Sequence, residues 1–157
     1  MSEQTIPQGF LPYCTDDTFN DAIAPLHIKI ENDLPILAML AEKKHCNYVG
    51  MVHGGCLMTF MDMALSGAVC HKLGKYTSTP TINISFDFMA AAKEGDWIEA
   101  RLLSIVLKRT MGFVNATIEV GDQSIARASA TFKIPEDLDA YPGLSAQEYI
   151  AWRTSVK

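Results

Sequence analysis

At 157 residues, 48% hydrophobic and 20% charged, the chain is long enough for one well-buried globular domain and short for two. Its net charge is −5 with acids and bases interspersed, which leaves no basic face of the kind that binds nucleic acid. The opening MSEQTIPQGF has neither the basic region nor the apolar core of a secretory signal. The apolar run 54–70 is short for a membrane span and carries Asp62 at its middle, so a cytoplasmic protein without a membrane span is expected.

Taken in chain order, a short helix is expected over 17–24. Leu26, Ile28 and Ile30 then alternate with His27, Lys29 and Glu31, the pattern of a half-buried strand. Asn32-Asp33 followed by Pro35 marks a turn, and 36–42 return as the second strand of a hairpin. A long helix, apolar on nearly every side, is expected from His53 to near Gly74, a C-cap glycine. Period two then resumes. Ile82, Ile84, Phe86 and Phe88 share one face of a strand, with Thr81, Asn83, Ser85 and Asp87 on the other. Further strands are expected over 97–107, 113–120 and 126–133, separated by the turns Glu94-Gly95-Asp96, Met111-Gly112 and Gly121-Asp122. Connections this short make antiparallel neighbours. Pro135 ends the last strand, and Ser145-Ala146-Gln147-Glu148 has the form of a capping box opening a terminal helix.

The expected fold class is therefore α+β: a curved antiparallel sheet of about six strands wrapped around one long central helix. No repeat or linker divides the chain, so residues 1–157 read as a single domain with its core over about 26–134 and peripheral ends.

The residue that demands an explanation is Asp62, the one acid in the apolar helix. A buried carboxylate costs several kcal/mol unless it is paired or hydrogen-bonded. With Thr59 and Ser66 it forms a narrow polar stripe at helical spacing. It is either satisfied by neighbouring hydroxyls and amides or it acts chemically, as nucleophile or as general base on water. Before it stands His53-Gly54-Gly55. Glycine N–H groups at a helix start lack intrahelical partners, and with the helix dipole they suit an oxyanion; a plain loop-to-helix junction is the alternative. The cysteines Cys14, Cys46, Cys56 and Cys70 form no CxxC, and His45, His53 and Asp62 lack the ligand spacing of a familiar site, so no metal is expected. Cys56 in the first helical turn could be an activated thiol, but no orienting partner is visible. Cys70 and His71, adjacent in the helix, lie on different faces.

This strand order, with Asn47 six residues before His53 and Asp62 nine residues after it, resembles the hotdog-fold thioesterases. The nearest group is the one named for phenylacetyl-CoA thioesterase, which also contains the small human acyl-CoA thioesterases. Its pattern is Asn, a short loop, His-Gly-Gly, a helix with Asp after two turns, a strand carrying Thr or Ser, and a Gly-Asp turn, here Gly95-Asp96. The resemblance covers about 26–134. Two departures stand out: Lys-Arg-Thr-Met-Gly replaces the usual Gly and arginines after the strand, and Ala90-Ala91-Ala92 replaces the usual proline before the Gly-Asp turn.

The resemblance implies an acyl-CoA thioesterase needing no cofactor, coenzyme A being part of the substrate. It implies a homodimer or homotetramer in which Asp62 of one subunit faces the Gly54 turn of another. Asn47 would hold the water or the carbonyl. Thr81 would orient Asp62, with Thr79 in its place if the strand register slips by two. His53 would chiefly shape the turn. Gly55, Met58 and Ser66 would line the substrate, and Lys108 and Arg109 are the candidates for the coenzyme phosphates. The methionine-rich helix suggests a medium-chain, long-chain or aromatic acyl group. A silent acyl-CoA-binding domain and a hotdog hydratase or dehydratase are the competing readings.

Overall fold

The computed structural model describes residues 6–13, 19–138 and 145–154; Cys14 and the first residues of the expected 17–24 helix lie outside them. Strands β1 (Leu11–Tyr13), β2 (Leu26–Glu31) and β3 (Leu34–Leu40) come first, followed by helix α1 (Gly54–Leu73). Strands β4 (Thr81–Phe88), β5 (Trp97–Leu107), β6 (Met111–Val120) and β7 (Gln123–Lys133) follow, and helix α2 (Ala146–Thr154) comes last. The seven strands form one antiparallel sheet in the order β1-β2-β3-β5-β6-β7-β4, one strand more than expected because three-residue β1 gives no periodic signal.

Local chemistry explains most of the boundaries. The β2–β3 hairpin turns through Asn32 and Asp33 at φ 52° and 61°, the positive values that a two-residue loop requires and that Asn and Asp tolerate best after glycine. Helix α1 ends at Gly74, in the left-handed region at φ 71°. At the start of α2, Ser145 N–H donates to Glu148 Oε2 at 2.9 Å and Glu148 N–H donates to Ser145 Oγ at 3.2 Å, so the expected capping box forms. Tyr149 of α2 stacks on Tyr76 with ring centroids 3.5 Å apart.

The core lies between α1 and the inner face of the sheet. Phe60, Met61, Leu65 and Val69 of the helix and Ile98, Ile118 and Phe132 of the sheet are fully buried, each contributing about 1.5–3 kcal/mol. The other side of α1 is open: Thr59, Asp62, Met63 and Ser66 are half-buried, and Gly55 and Met58 are exposed. A helix that is apolar on nearly every side is thus not covered on every side. The sheet wraps only part of it, and the edge strand β4 borders the opening. Among the described residues no helix is long and apolar enough to cross a membrane.

One irregularity governs the site. In β4, Thr81 pairs with Phe132 and Asn83 with Thr131, so Ile82 is the extra residue of a β-bulge. An added residue reverses the alternation. Ile84 and Phe86 pack towards the core, Ile82 is 53% exposed, and Thr81 turns to the helix side. The expectation of Thr81 in one outward row with Asn83, Ser85 and Asp87 fails for this reason.

Candidate active site

The loop before α1 is built on His45, which is 2% exposed. Its Nδ1 accepts from Glu42 N–H at 2.9 Å, its Nε2–H donates to Ala24 O at 3.1 Å, and its own carbonyl accepts from His53 N–H at 2.8 Å. One histidine therefore holds three segments together. Burial keeps it below the usual histidine range, and a neutral ring matches its one donor and one acceptor contact. Asn47 closes the same loop: its Oδ1 accepts from Val49 N–H at 3.0 Å and Met51 N–H at 3.1 Å. The turn thus engages this oxygen and leaves the amide N–H₂ group for a ligand.

His53 is the N-cap of α1, and its Nδ1 accepts from Gly55 N–H at 2.9 Å. Gly55 N–H is not a free donor, and His53 uses the lone pair that a general base would need. Gly54, at the first helical position, keeps an N–H with no carbonyl four residues before it inside the helix. A Cβ there would lie 3.0 Å from Cζ of Phe88, so a larger residue at this position would have to push aside the half-exposed ring of the edge strand.

Two turns on, Asp62 Oδ1 accepts a 2.7 Å hydrogen bond from Thr81 Oγ1. The register question is resolved one turn further along, where Ser66 Oγ and Thr79 Oγ1 are 2.9 Å apart. Thr79 thus partners Ser66, and Thr81 partners Asp62. Thr59 Oγ1 donates back to Gly55 O at 3.0 Å. Gly55, Thr59, Asp62 and Ser66 lie on a single face at helical spacing, the open face of α1.

The remaining candidates are placed less centrally. Met58 is 39% exposed beside this face. Lys108 and Arg109 follow β5 in the row that runs Thr81, Phe132, Gly112, Leu107 across the sheet, about 14 Å from Thr81 at three interstrand steps. Arg109 Nη1 already pairs with Glu136 at 3.1 Å. Burial, with a smaller contribution from Cys46, pushes the Cys56 thiol up to about 11, the opposite of the activation that its place in the first turn suggested. Among the described residues no three His, Cys, Asp or Glu side chains converge as a metal site.

Two contributors escaped the sequence reading. Phe88 was assigned to the correct strand face, but its contact with Gly54 depends on β4 lying at the sheet edge. His45 carried no signal beyond being a histidine.

A curved antiparallel sheet around one helix, with a His-Gly-Gly N-terminus and a hydroxyl-bonded aspartate, defines a hotdog protein. Residues 49–126 match the family model described as Thioesterase superfamily, and the chain has the hotdog fold. A Pseudomonas aeruginosa protein named as a candidate esterase, PA0474, is 29% identical over 131 residues, covering 83% of this chain and 98% of that one. Among solved structures, zebrafish thioesterase superfamily member 2 superposes with a TM-score of 0.66 at 22% identity, covering 77% of this chain and 89% of that one. A variant of the phenylacetic acid degradation protein PaaI from Thermus thermophilus gives 0.66 at 19%, covering 76% and 100%. A hypothetical thioesterase from Streptococcus pneumoniae, solved with coenzyme A, gives 0.59 at 24%, covering 70% and 85%.

Proposed function

We propose that the protein is a thioesterase that hydrolyses an acyl-CoA to the free acid and coenzyme A, working as a homodimer or a higher assembly of dimers. The observation that carries this reading is the 2.7 Å contact between Thr81 and Asp62 on the open face of the helix. A carboxylate held by one hydroxyl, with Oδ2 left unpartnered among the described residues, is a group set to act on a ligand rather than to satisfy a core.

The chemistry follows in one of two forms. As general base, Asp62 takes a proton from water while the water oxygen attacks the thioester carbon. The tetrahedral intermediate then expels the coenzyme A thiolate, which recovers the proton. As nucleophile, the carboxylate itself attacks and forms a mixed anhydride that water hydrolyses. In either form the carbonyl oxygen gains charge, and Gly54 N–H at the positive end of α1 is its donor. Lys108 and Arg109 take the coenzyme phosphates in this scheme.

Geometry supports a shared site. Gly54 and Asp62 stand eight residues apart along α1, about 12 Å of axial rise, too far for both to engage one thioester group. Two antiparallel helices related by a twofold axis bring the Asp62 of one close to the Gly54 of the other. The open edge of β4 and the exposed Ile82, Phe88 and Met89 provide the surface for that pairing.

The test is thiol release from a panel of acyl-CoAs by wild type and Asp62→Asn. Loss of at least a hundredfold in kcat with an unchanged melting temperature is expected. Release unaffected by the substitution would remove Asp62 from the mechanism, and no release by wild type from any member would leave an acyl-CoA-binding domain. Label recovered in the Asp62 carboxylate after a single turnover in labelled water identifies the nucleophilic route with water attacking the Asp62 carbonyl carbon, because the general-base route labels only the released acid.

A further inference from the structure

Beside the helix start lies a groove of about 390 Å³, within the range of ligand pockets. Phe19, Ala22 and Ile23, from a 3-10 turn in the segment the sequence reading treated as peripheral, form one wall; Gly55, Cys56 and Thr59 of α1 form the other. We propose that this groove receives the acyl group of the substrate, and that the 19–23 turn therefore sets acyl specificity. The inference rests on the thioesterase reading above and adds to it where the acyl arm goes.

The groove is continuous with the helix start. His53 and Gly55 line the groove, and Gly54, the donor assigned to the carbonyl oxygen, lies between them in sequence. One arm of a thioester bound at Gly54 thus has this groove directly beside it.

The chemistry of the walls selects the acyl arm over the coenzyme arm. Two of the lining residues are nearly closed to solvent, Ile23 at 4% and His45 at 2% exposure. Both ring nitrogens of His45 are already bonded, to Glu42 N–H and to Ala24 O. The Thr59 hydroxyl donates to Gly55 O, and the Cys56 thiol stays protonated. The one cation, Lys44, sits 3.2 Å from Glu42. Pantetheine amides would find few partners here and coenzyme phosphates no unpaired cation, so each would lose hydrogen bonds it makes in water. A hydrocarbon loses none.

Phe19, at the rim of the groove, is 75% exposed. A large aromatic ring held out from the core beside an apolar groove is surface awaiting cover, and an acyl chain lying between this ring and Cys56 supplies it.

The test uses Ala22→Trp, which fills the groove from an exposed position, and Phe19→Ala, which removes a wall. Both are assayed for thiol release from acetyl-CoA and octanoyl-CoA. The expected result is a loss of at least tenfold in kcat/KM for octanoyl-CoA with acetyl-CoA changed less than twofold, because the binding energy of the distal chain drives the reaction. Equal losses for both substrates, or none, would overturn the proposal. A parallel titration of octanoate into isotope-labelled protein reads the amide shifts of Gly55, Cys56 and Thr59 without requiring turnover. Shifts at these amides that vanish in Ala22→Trp support the groove, and their absence in wild type refutes it. Failure of wild type to hydrolyse any acyl-CoA counts against the thioesterase reading alone, since the titration still decides where an acyl chain binds.

Discussion

Replacing Thr81 with valine tests whether this side chain acts through Asp62. Valine keeps the shape and suits a strand, so the change removes little except the hydroxyl that donates to Asp62 Oδ1 at 2.7 Å. A hydrogen bond to a charged acceptor contributes about 1.5–3 kcal/mol. Thr81 is exposed and Asp62 half-buried, so water can replace the lost donor and the lower end applies. About 1.4 kcal/mol of lost positioning corresponds to roughly a tenfold fall in kcat. Folding stability should move by less than about 0.5 kcal/mol, as for a solvent-side substitution. The decisive assay is the double-mutant cycle of Thr81→Val with Asp62→Asn. If Thr81 works by orienting Asp62, its removal from the Asp62→Asn enzyme costs less than about twofold, and the two losses fail to add. Thr81→Ser restores most of the rate. A wild-type kcat for Thr81→Val, or the same tenfold loss in both backgrounds, would refute the reasoning.

Two further outcomes follow from the loop that precedes the helix and from the buried histidines. Asn47→Asp retains the oxygen that closes the turn, whereas Asn47→Ala does not. If Asn47 is only a turn residue, the aspartate variant keeps both melting temperature and kcat while the alanine variant loses stability; a stable Asn47→Asp with kcat reduced tenfold would instead show that the amide N–H₂ group touches substrate or water. Burial holds His27 and His45 below their ordinary value of 6.5. The unfolded chain therefore takes up more protons as pH falls past 6.5, so their stabilising contribution is complete above that value and declines below it. Chemical denaturation should give a lower midpoint at about pH 5.5 than at about pH 8, and His27→Leu should reduce the difference. Glu31 and Glu148, both lowered from 4.5, make their full contribution across this range and lose it only as pH falls below 4.5. Equal midpoints would show that neither histidine carries the linkage.

Much of the fold was legible in the residues because the relevant signals are local. Alternation marks the strands, Asn32-Asp33 accepts positive φ, Ser145 and Glu148 can cap each other, and Gly74 can end a helix in the left-handed region. Each depends on a few neighbouring residues and elementary sterics. The pairing of β4 with β7 at the sheet edge, rather than with a neighbour in sequence, could not be read this way. Strand order is decided by which apolar faces can be buried together across the whole chain.

The same division runs through the site. Its chemical types were already present in the order of residues: a lone carboxylate on an apolar helix, two glycines at that helix's start, and hydroxyls on a later strand. Which of them meet was settled by the packed chain alone. A single bulged residue, Ile82, turns Thr81 from the outward row to the helix, and no composition or period encodes a bulge, because it arises from the competition between ladder pairing and core packing. Gly55 N–H, free in the sequence reading, is taken by the His53 cap. The 19–23 turn, which looked peripheral, became a wall of the groove because His45 anchors the adjoining Ala24 beside the helix start through one part-buried hydrogen bond.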